Sequence, residues 1–343
     1  MIEVFHHYPL KEHNTFGISA FAKAYTSIIT LQQLKEALAY FHGSDKFLLG
    51  GGSNMLILND IEKPVLHINL TGIERIRANG NLVQLKVAAG ENWHKLVLYC
   101  VENNLAGIEN LALIPGNTGT APIQNIGAYG VELKDVFVSC EVMDLESGMK
   151  RTLTAAECNF GYRDSVFKNE ALGKYVITSV TLELTDLNET SDYDLKINYG
   201  AIKEEMERLD GEASIAKVAQ AVINIRSSKL PDPKVIGNSG SFFKNPVIEK
   251  GKYQDLLQSF PDMPSYAVNE GHVKIPAGWL IDQSGFKGKR YGDAGIHDKQ
   301  ALVLVNHGNA TGNEILNVAK EIQKMVKTTY GILIETEVNL IEN

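Results

Sequence analysis

The chain has 343 residues, 44% of them hydrophobic and 22% charged, with a formal net charge of -8, which exceeds the length one core usually serves and describes a globular protein of two or three domains with ample core. The acidic balance excludes a nucleic-acid backbone or an anionic membrane as the main partner, so any anion site is local. The start, Met1 to His7, carries no basic stretch leading into an apolar run, and no apolar run is long enough to span a bilayer, so a cytoplasmic protein is expected.

In chain order, Thr30 and Gln33 read as a capping box opening a helix to about Phe41, with Leu31, Leu34, Leu38 and Phe41 on one face. Phe47-Leu48-Leu49 is a short strand that breaks into Gly50-Gly51-Gly52-Ser53-Asn54 before a second strand, Met55 to Leu58. Segments 65–69, 82–88, 136–143 and 175–184 have strand composition, and helices are expected over 93–103 and 155–158. From Thr185 to Lys196 the chain turns polar and acidic, marking an exposed connection or insertion, and helices follow at 201–209 and 214–227. Leu230-Pro231-Asp232-Pro233 imposes a stop near which a domain boundary falls. Beyond it a helix is expected at 277–283, a strand at 301–305, a long helix from Asn313 to about Tyr330, and a closing strand over 332–340. There is no internal repeat.

Cys100, Cys140 and Cys158 are odd in number and widely spaced, which argues against a disulfide framework. The nine histidines form no metal-ligand pattern, so no metal is expected, and His94 reads as a helix residue beside a packed Trp93. Neither Walker nor Rossmann glycine motifs occur. Instead, the 50–54 loop and Ile114-Pro115-Gly116-Asn117-Thr118-Gly119-Thr120 each offer backbone amides without side-chain obstruction, and Gly127-Ala128-Tyr129-Gly130 adds a third compact surface. Each loop alone is also readable as a plain tight turn; together they point to a dinucleotide-like cofactor. Arg226, Lys229, Lys234, Lys244 and Lys287 gather around loop segments of an acidic chain, which suggests a local diphosphate site, with ordinary surface cations as the alternative. In Gly240-Ser241-Phe242-Phe243, a hydroxyl follows a flexible glycine and precedes two rings able to exclude water, an arrangement that suits a proton donor or simply a glycine turn into a core strand.

Ordered motifs then carry a resemblance. Asn14-Thr15-Phe16-Gly17, Leu49-Gly50-Gly51-Gly52-Ser53-Asn54, Gly107-Ile108-Glu109-Asn110-Leu111, Ile114-Pro115-Gly116, Pro122-Ile123-Gln124-Asn125-Ile126-Gly127-Ala128-Tyr129-Gly130, Gly161-Tyr162-Arg163-Asp164-Ser165, Lys229-Leu230-Pro231-Asp232-Pro233 and Gly240-Ser241-Phe242-Phe243-Lys244-Asn245-Pro246 resemble the UDP-N-acetylenolpyruvoylglucosamine reductase (MurB) family over nearly the whole chain. The acidic insertion and Tyr199 resemble the longer of its two types, in which a tyrosine loop covers the active site. The resemblance implies an α+β protein: an FAD-binding domain of the PCMH, vanillyl-alcohol-oxidase-like kind in two lobes, and a C-terminal α+β substrate-binding domain. The implied division is 1–225 for the FAD region (lobes about 1–72 and 73–225, core about 17–187), 226–325 for the substrate domain, and 326–343 for a closing strand that contributes to the active site.

It also implies non-covalent FAD, NADPH as reductant, a UDP-sugar as substrate and a monomer without nucleic-acid or membrane partner. Cofactor contacts are implied for Gly50, Gly51, Gly52, Ser53, Asn54, Pro115, Gly116, Gly119, Gly127, Tyr129 and Arg163, and substrate contacts for Tyr199, Lys229, Asn245, Tyr266, Lys287 and Gln300. Arg163, Ser241 and Glu337 are the implied catalytic residues. Alternation along the closing strand places Glu335 and Glu337 on the same face, so spacing selects neither; the family pattern selects Glu337, and departs at Asn339, where an arginine often stands. Two other readings remain: an FAD oxidase lacking the UDP-sugar site, and a catalytically silent nucleotide-sugar binder.

Overall fold

The computed structural model describes residues 1–342. It resolves into two compact units, the first made of Met1–Tyr8, Ala22–Gly51 and Ile61–Ser228, the second of Pro9–Phe21, Gly52–Asp60 and the chain from Lys229 onward. The division expected from sequence ran continuously to residue 225, whereas 9–21 and 52–60 lie with the C-terminal unit. The reason is strand pairing. Phe47–Leu49, before the glycine loop, pairs in parallel with Val65–Ile68 of the first unit, while Met55–Ile57, after it, pairs in parallel with Asn339–Ile341 of the second.

The first unit has two cores. In one, the sheet of Phe5–Pro9, Phe21–Ile28, Val65–Ile68 and Phe47–Leu49 packs the helix Leu31–Tyr40 through Leu34, Ala37 and Leu38 against Ile28, Leu66 and Ile68. Thr30 caps that helix by accepting from Gln33 N, and the Gln33 side chain accepts from Ile29 N, one residue before the expected partner. The larger core lies on an antiparallel sheet ordered Lys150–Thr154, Phe137–Asp144, Tyr175–Asp186, Leu82–Ala88 and Ile73–Asn79. Its inward residues Leu85, Val87, Val142, Val180 and Leu182 bury against Trp93, Leu96 and Val97 of the helix Trp93–Glu102 and Val218, Val222 and Ile225 of the helix Ile215–Lys229. Each such fully buried aliphatic side chain stabilises by about 1.5–3 kcal/mol relative to exposure.

In the second unit, the helix Gly312–Tyr330 buries Ile315, Val318, Ala319, Ile322 and Val326, a period of three to four residues, and opens with a Thr311/Glu314 capping box. The expected strand at 301–305 is shifted: the strand is Leu304–Asn306, because Val303 N bonds back to Gln300 O and turns the chain before it. The expected closing strand over 332–340 is likewise reduced to Asn339–Ile341. The alternation itself holds, with Ile332, Ile334 and Val338 buried, but the segment changes partner midway. Lys244 N donates to Glu335 O and Glu337 N to Phe242 O, whereas Asn339 N donates to Asn54 O, so no single ladder runs its length. No described helix is long and apolar enough to cross a membrane.

Candidate active site

In the first unit the two glycine loops meet. A Cβ on Gly51 would fall 3.0 Å from Gly116 Cα, and one on Gly50 would fall 2.6 Å from the Thr120 side chain. The second loop is fixed from behind: Trp93 N donates to Gly116 O, Thr118 N to Glu91 O and Gly119 N to Ala89 O. The amides of Thr118 and Gly119 are therefore already engaged, and Gly119 is glycine because a Cβ there would lie 2.4 Å from Ala89 Cβ. His94 braces the same loop, its Nδ1 accepting from Leu113 N at 3.0 Å. Leu113 has φ 59, a conformation that a non-glycine residue holds only when fixed by its surroundings. Because a backbone N–H can only donate, His94 is neutral with its proton on Nε2. Burial lowers its pKa, and the nearby Arg226 charge acts in the same direction.

Arg163 stands in a tight turn in which Gly161 N donates to Asp164 O at 3.0 Å, and its own φ is 55. Its Nη2 donates to Gly127 O at 2.8 Å, and its guanidinium lies 5.5 Å from the Tyr162 ring centroid. Two buried side chains hold this turn against the 123–132 segment. Asn125 donates to Glu132 Oε2 and Gly161 O and accepts from Lys134 N, each at 3.0 Å; Ser165 Oγ donates to Ile123 O at 2.7 Å. Tyr129, at φ 51, packs edge-on against Tyr199, ring centroids 6.4 Å apart. Arg226 adds a second cation. Its Nε is buried without a hydrogen-bond partner, and burial lowers its pKa, opposed by Tyr129 and reinforced by the positive charge of Arg163.

In the second unit, the Ser241 loop is held rigidly. A Cβ on Gly237 would fall 2.2 Å from Phe16 O; Asn306 Nδ2 donates to that same oxygen at 2.9 Å; Asn238 Oδ1 accepts from Gly240 N; and Ser239 Oγ donates to Met55 O. Gly240 takes φ 69, which a side chain would resist. Phe242 and Phe243 are fully buried, 5.1 Å apart, so the rings of this motif are core residues that anchor Ser241 from below. The pairing of 335–337 with 242–244 brings Glu337 alongside Phe242, next to Ser241 in sequence.

Among the expected substrate residues, Asn245 and Gln300 come together at the start of the helix Ala277–Gln283. Asn245 Oδ1 accepts from Ala277 N at 2.9 Å, and a Cβ on Gly278 would fall 3.1 Å from Gln300 Oε1. Lys287 pairs with Asp282 at 2.9 Å and Lys244 with Glu335 at 3.5 Å. Tyr266 is half-exposed on a two-residue strand, and Lys229 is exposed at the end of its helix. Among the described residues no group of acidic, histidine and cysteine side chains could hold a metal. Sequence reasoning gave no role to Asn125, Glu132, Glu109, Asn110 or the His94 brace, although the first four lie in or beside motifs it singled out; only spatial neighbours reveal what they hold.

Residues 23–154 match the FAD-binding domain family, which defines the first unit as belonging to a flavoprotein. Residues 232–341 match the family described as UDP-N-acetylenolpyruvoylglucosamine reductase, C-terminal domain. The UDP-N-acetylenolpyruvoylglucosamine reductase of Flavobacterium johnsoniae is 52% identical over 99% of this chain and 100% of its own, and that of Amoebophilus asiaticus 44% identical over 97% and 98%. The chain belongs to the UDP-N-acetylenolpyruvoylglucosamine reductase family. The crystal structure of the Thermus caldophilus reductase has the same fold, with a TM-score of 0.68 at 24% identity, covering 100% of this chain and 99% of that one. Two features of the first unit fit the FAD that this family's binding domain takes: the side-chain-free approach of Gly50 and Gly51 to Gly116, and the orphaned Nε of Arg226, a donor awaiting an acceptor.

Proposed function

We propose that this protein catalyses the NADPH-driven, FAD-dependent reduction of UDP-N-acetylglucosamine enolpyruvate to UDP-N-acetylmuramate, a step of peptidoglycan precursor synthesis, as a cytoplasmic monomer. The observation that carries the reading is the full-length relationship, 52% identity over 99% of the chain, which leaves no segment outside the reductase pattern. Bound FAD, reduced by NADPH, supplies the hydride for the enolpyruvyl double bond.

The residues of the chain supply position, charge and a proton. Gly50, Gly51, Gly52, Ser53, Asn54 and Gly116 would hold the diphosphate of the cofactor through backbone amides, with Pro115, which has no amide donor, and Gly119 shaping the second loop, and Gly127 and Tyr129 would line the cofactor beside Arg163. Arg163 presents a planar, permanently charged fork to the charge that develops on the substrate carboxylate, and because Gly127 and the 161–164 turn already fix it, it needs no reorganisation as that charge forms. Ser241 Oγ delivers the proton to the substrate carbon next to the one that receives hydride. A serine hydroxyl is a poor acid, so this transfer works only toward a strongly basic, carbanion-like carbon held close, which the rigid 237–241 loop provides. Glu337 and Lys229 polarise that hydroxyl. Tyr199, Asn245, Tyr266, Lys287 and Gln300 hold the UDP-sugar.

The test is anaerobic NADPH oxidation by the purified yellow protein with and without UDP-N-acetylglucosamine enolpyruvate, with the product weighed by mass spectrometry. Turnover that depends on the UDP-sugar and yields a product heavier by two hydrogens is expected, and Ser241→Ala is expected to reduce its flavin yet fail to form product. NADPH consumption that requires oxygen and ignores the sugar would make the protein an oxidase, and a protein that binds the UDP-sugar but no flavin would make it a silent binder.

A further inference from the structure

The segment from Leu187 to Gly200 contains no helix or strand, yet the side chains of 192–198 alternate. Tyr193, Leu195 and Ile197 are partly buried while Asp192, Asp194, Lys196 and Asn198 are exposed. Leu195 and Ile197 pack on the larger core of the first unit, and Asp194 and Lys196 pair with each other on the outer side at 2.7 Å. This is an extended strap laid on a surface, and Tyr199 stands at its end, half-exposed, its Cβ 3.4 Å from where a Cβ on Gly130 would be.

The dipeptide Glu109-Asn110, 1% exposed at each residue, grips the strap twice. Tyr193 Oη donates to Glu109 Oε1 at 2.7 Å, and the other carboxylate oxygen is engaged by Gly107 N, also at 2.7 Å. Asn110 Nδ2 donates to Lys196 O at 2.7 Å and to Tyr129 O at 3.1 Å. One carboxamide thus ties the strap to the residue whose ring meets Tyr199. Its Oδ1 is buried with no hydrogen-bond partner, a cost that a purely structural asparagine would ordinarily avoid, and the reversed amide would set that oxygen against two carbonyls.

We propose that Glu109, Asn110 and Tyr193 form a latch that sets the register of the strap and thereby positions Tyr199 over the substrate. In an extended chain a shift of one residue turns every side chain to the opposite side, so without the Tyr193 anchor Tyr199 no longer returns to the same place. Tyr199 lies six positions beyond Tyr193, a span of about 20 Å when extended, too long for the tip to be fixed by chain stiffness alone. The inference rests on the reductase reading, in which Tyr199 holds the UDP-sugar.

The test uses the full-length flavin-loaded enzyme. Tyr193→Phe keeps the ring and removes only the donor. Its KM for the UDP-sugar is expected to rise roughly tenfold, equivalent to about 1.4 kcal/mol, while flavin reduction by NADPH and flavin content stay at wild-type values and limited proteolysis within 187–200 accelerates. Glu109→Gln, whose single side-chain oxygen serves only one of the two donors, is expected to fall between wild type and Tyr193→Phe. Unchanged KM and unchanged proteolysis in Tyr193→Phe would overturn the latch, as would a lowered melting temperature and flavin content with KM intact. A wild-type enzyme with no UDP-sugar turnover would overturn the reductase reading instead, and the proteolysis comparison would then judge the latch separately.

Discussion

Arg163 donates through Nη2 to the carbonyl of Gly127 at 2.8 Å, and it does so from a left-handed backbone with φ 55. A residue other than glycine or asparagine is held in that region only where the structure around it over-determines the conformation. Here the 161–164 turn and the Asn125 clamp do so, so the guanidinium is aimed before any ligand arrives. Arg163→Lys keeps the charge but replaces the fork with a point charge on a flexible stem. Its kcat is expected to fall by roughly 10²–10³, the effect of losing one preorganised donor, while flavin content measured by visible absorbance stays that of wild type.

Asn125 is completely buried and makes three hydrogen bonds with its side chain. Asn125→Ala removes the side-chain partner of Gly161 O and Lys134 N, while Glu132 keeps its pair with Lys134 Nζ at 2.8 Å, and it places a less tolerant residue at φ 43. Unsatisfied buried partners cost about 1–3 kcal/mol each, so the urea midpoint is expected to fall markedly. Since the same side chain holds the Arg163 turn, kcat should decline as well. A variant with wild-type midpoint and kcat would show that the clamp holds nothing of consequence.

The glycine loops give a cofactor prediction. In Gly51→Ala the new methyl meets backbone at 3.0 Å on Gly116, and one of the two loops must move. FAD retention after gel filtration, read by the flavin-to-protein absorbance ratio, is expected to drop, with the fold intact by circular dichroism. Gly43→Ala is the control, since nothing lies within 4 Å of its added Cβ; although φ 75 there adds strain, it should retain the flavin.

Acid should destabilise the protein before its carboxylates titrate. Burial is the leading cause that lowers the pKa of His13, His94, His297 and His307 below the ordinary 6.5. The unfolded chain therefore binds more protons than the native state as pH falls past 6.5, so stability rises with pH in this window and is lost on acidification through the lowered native pKa values. Melting temperature is expected to decrease between about pH 7 and pH 5, by linkage to these groups. His94→Gln can still offer an acceptor to Leu113 N without binding a proton, and it should flatten part of that slope.

Much of the fold was legible because its signals are local. Thr30 caps its helix through Gln33 N as expected, and the unread caps Thr154 and Thr311 use the same three-residue spacing; the long helix near 313–330 was expected and buries one periodic face, and the glycine loops and the Arg163 segment were visible as motifs. The reading failed at 301–305 and 332–340, where composition favoured strand but the partners were divided. Ile332 and Ile334 are buried as alternation required, yet alternation does not state which neighbour receives the hydrogen bonds. The latch on Tyr199 was invisible for the same reason: Glu109 and Tyr193 are separated by 84 residues.

The sequence by itself therefore determined most of the helices, though not Lys250–Ser259, together with the Thr30 cap, the positions of the glycine turns and the family. These follow from interactions within a few residues along the chain and from motifs that survive in linear order. Tertiary structure alone decided that the chain passes between units at Gly51 and Gly52, that Met55–Ile57 takes Asn339–Ile341 as its partner, and that Asn125, His94 and Asn110 are the side chains on which functional loops rest. Pairing and bracing of this kind are set by which distant surfaces bury together, and no local pattern records that choice.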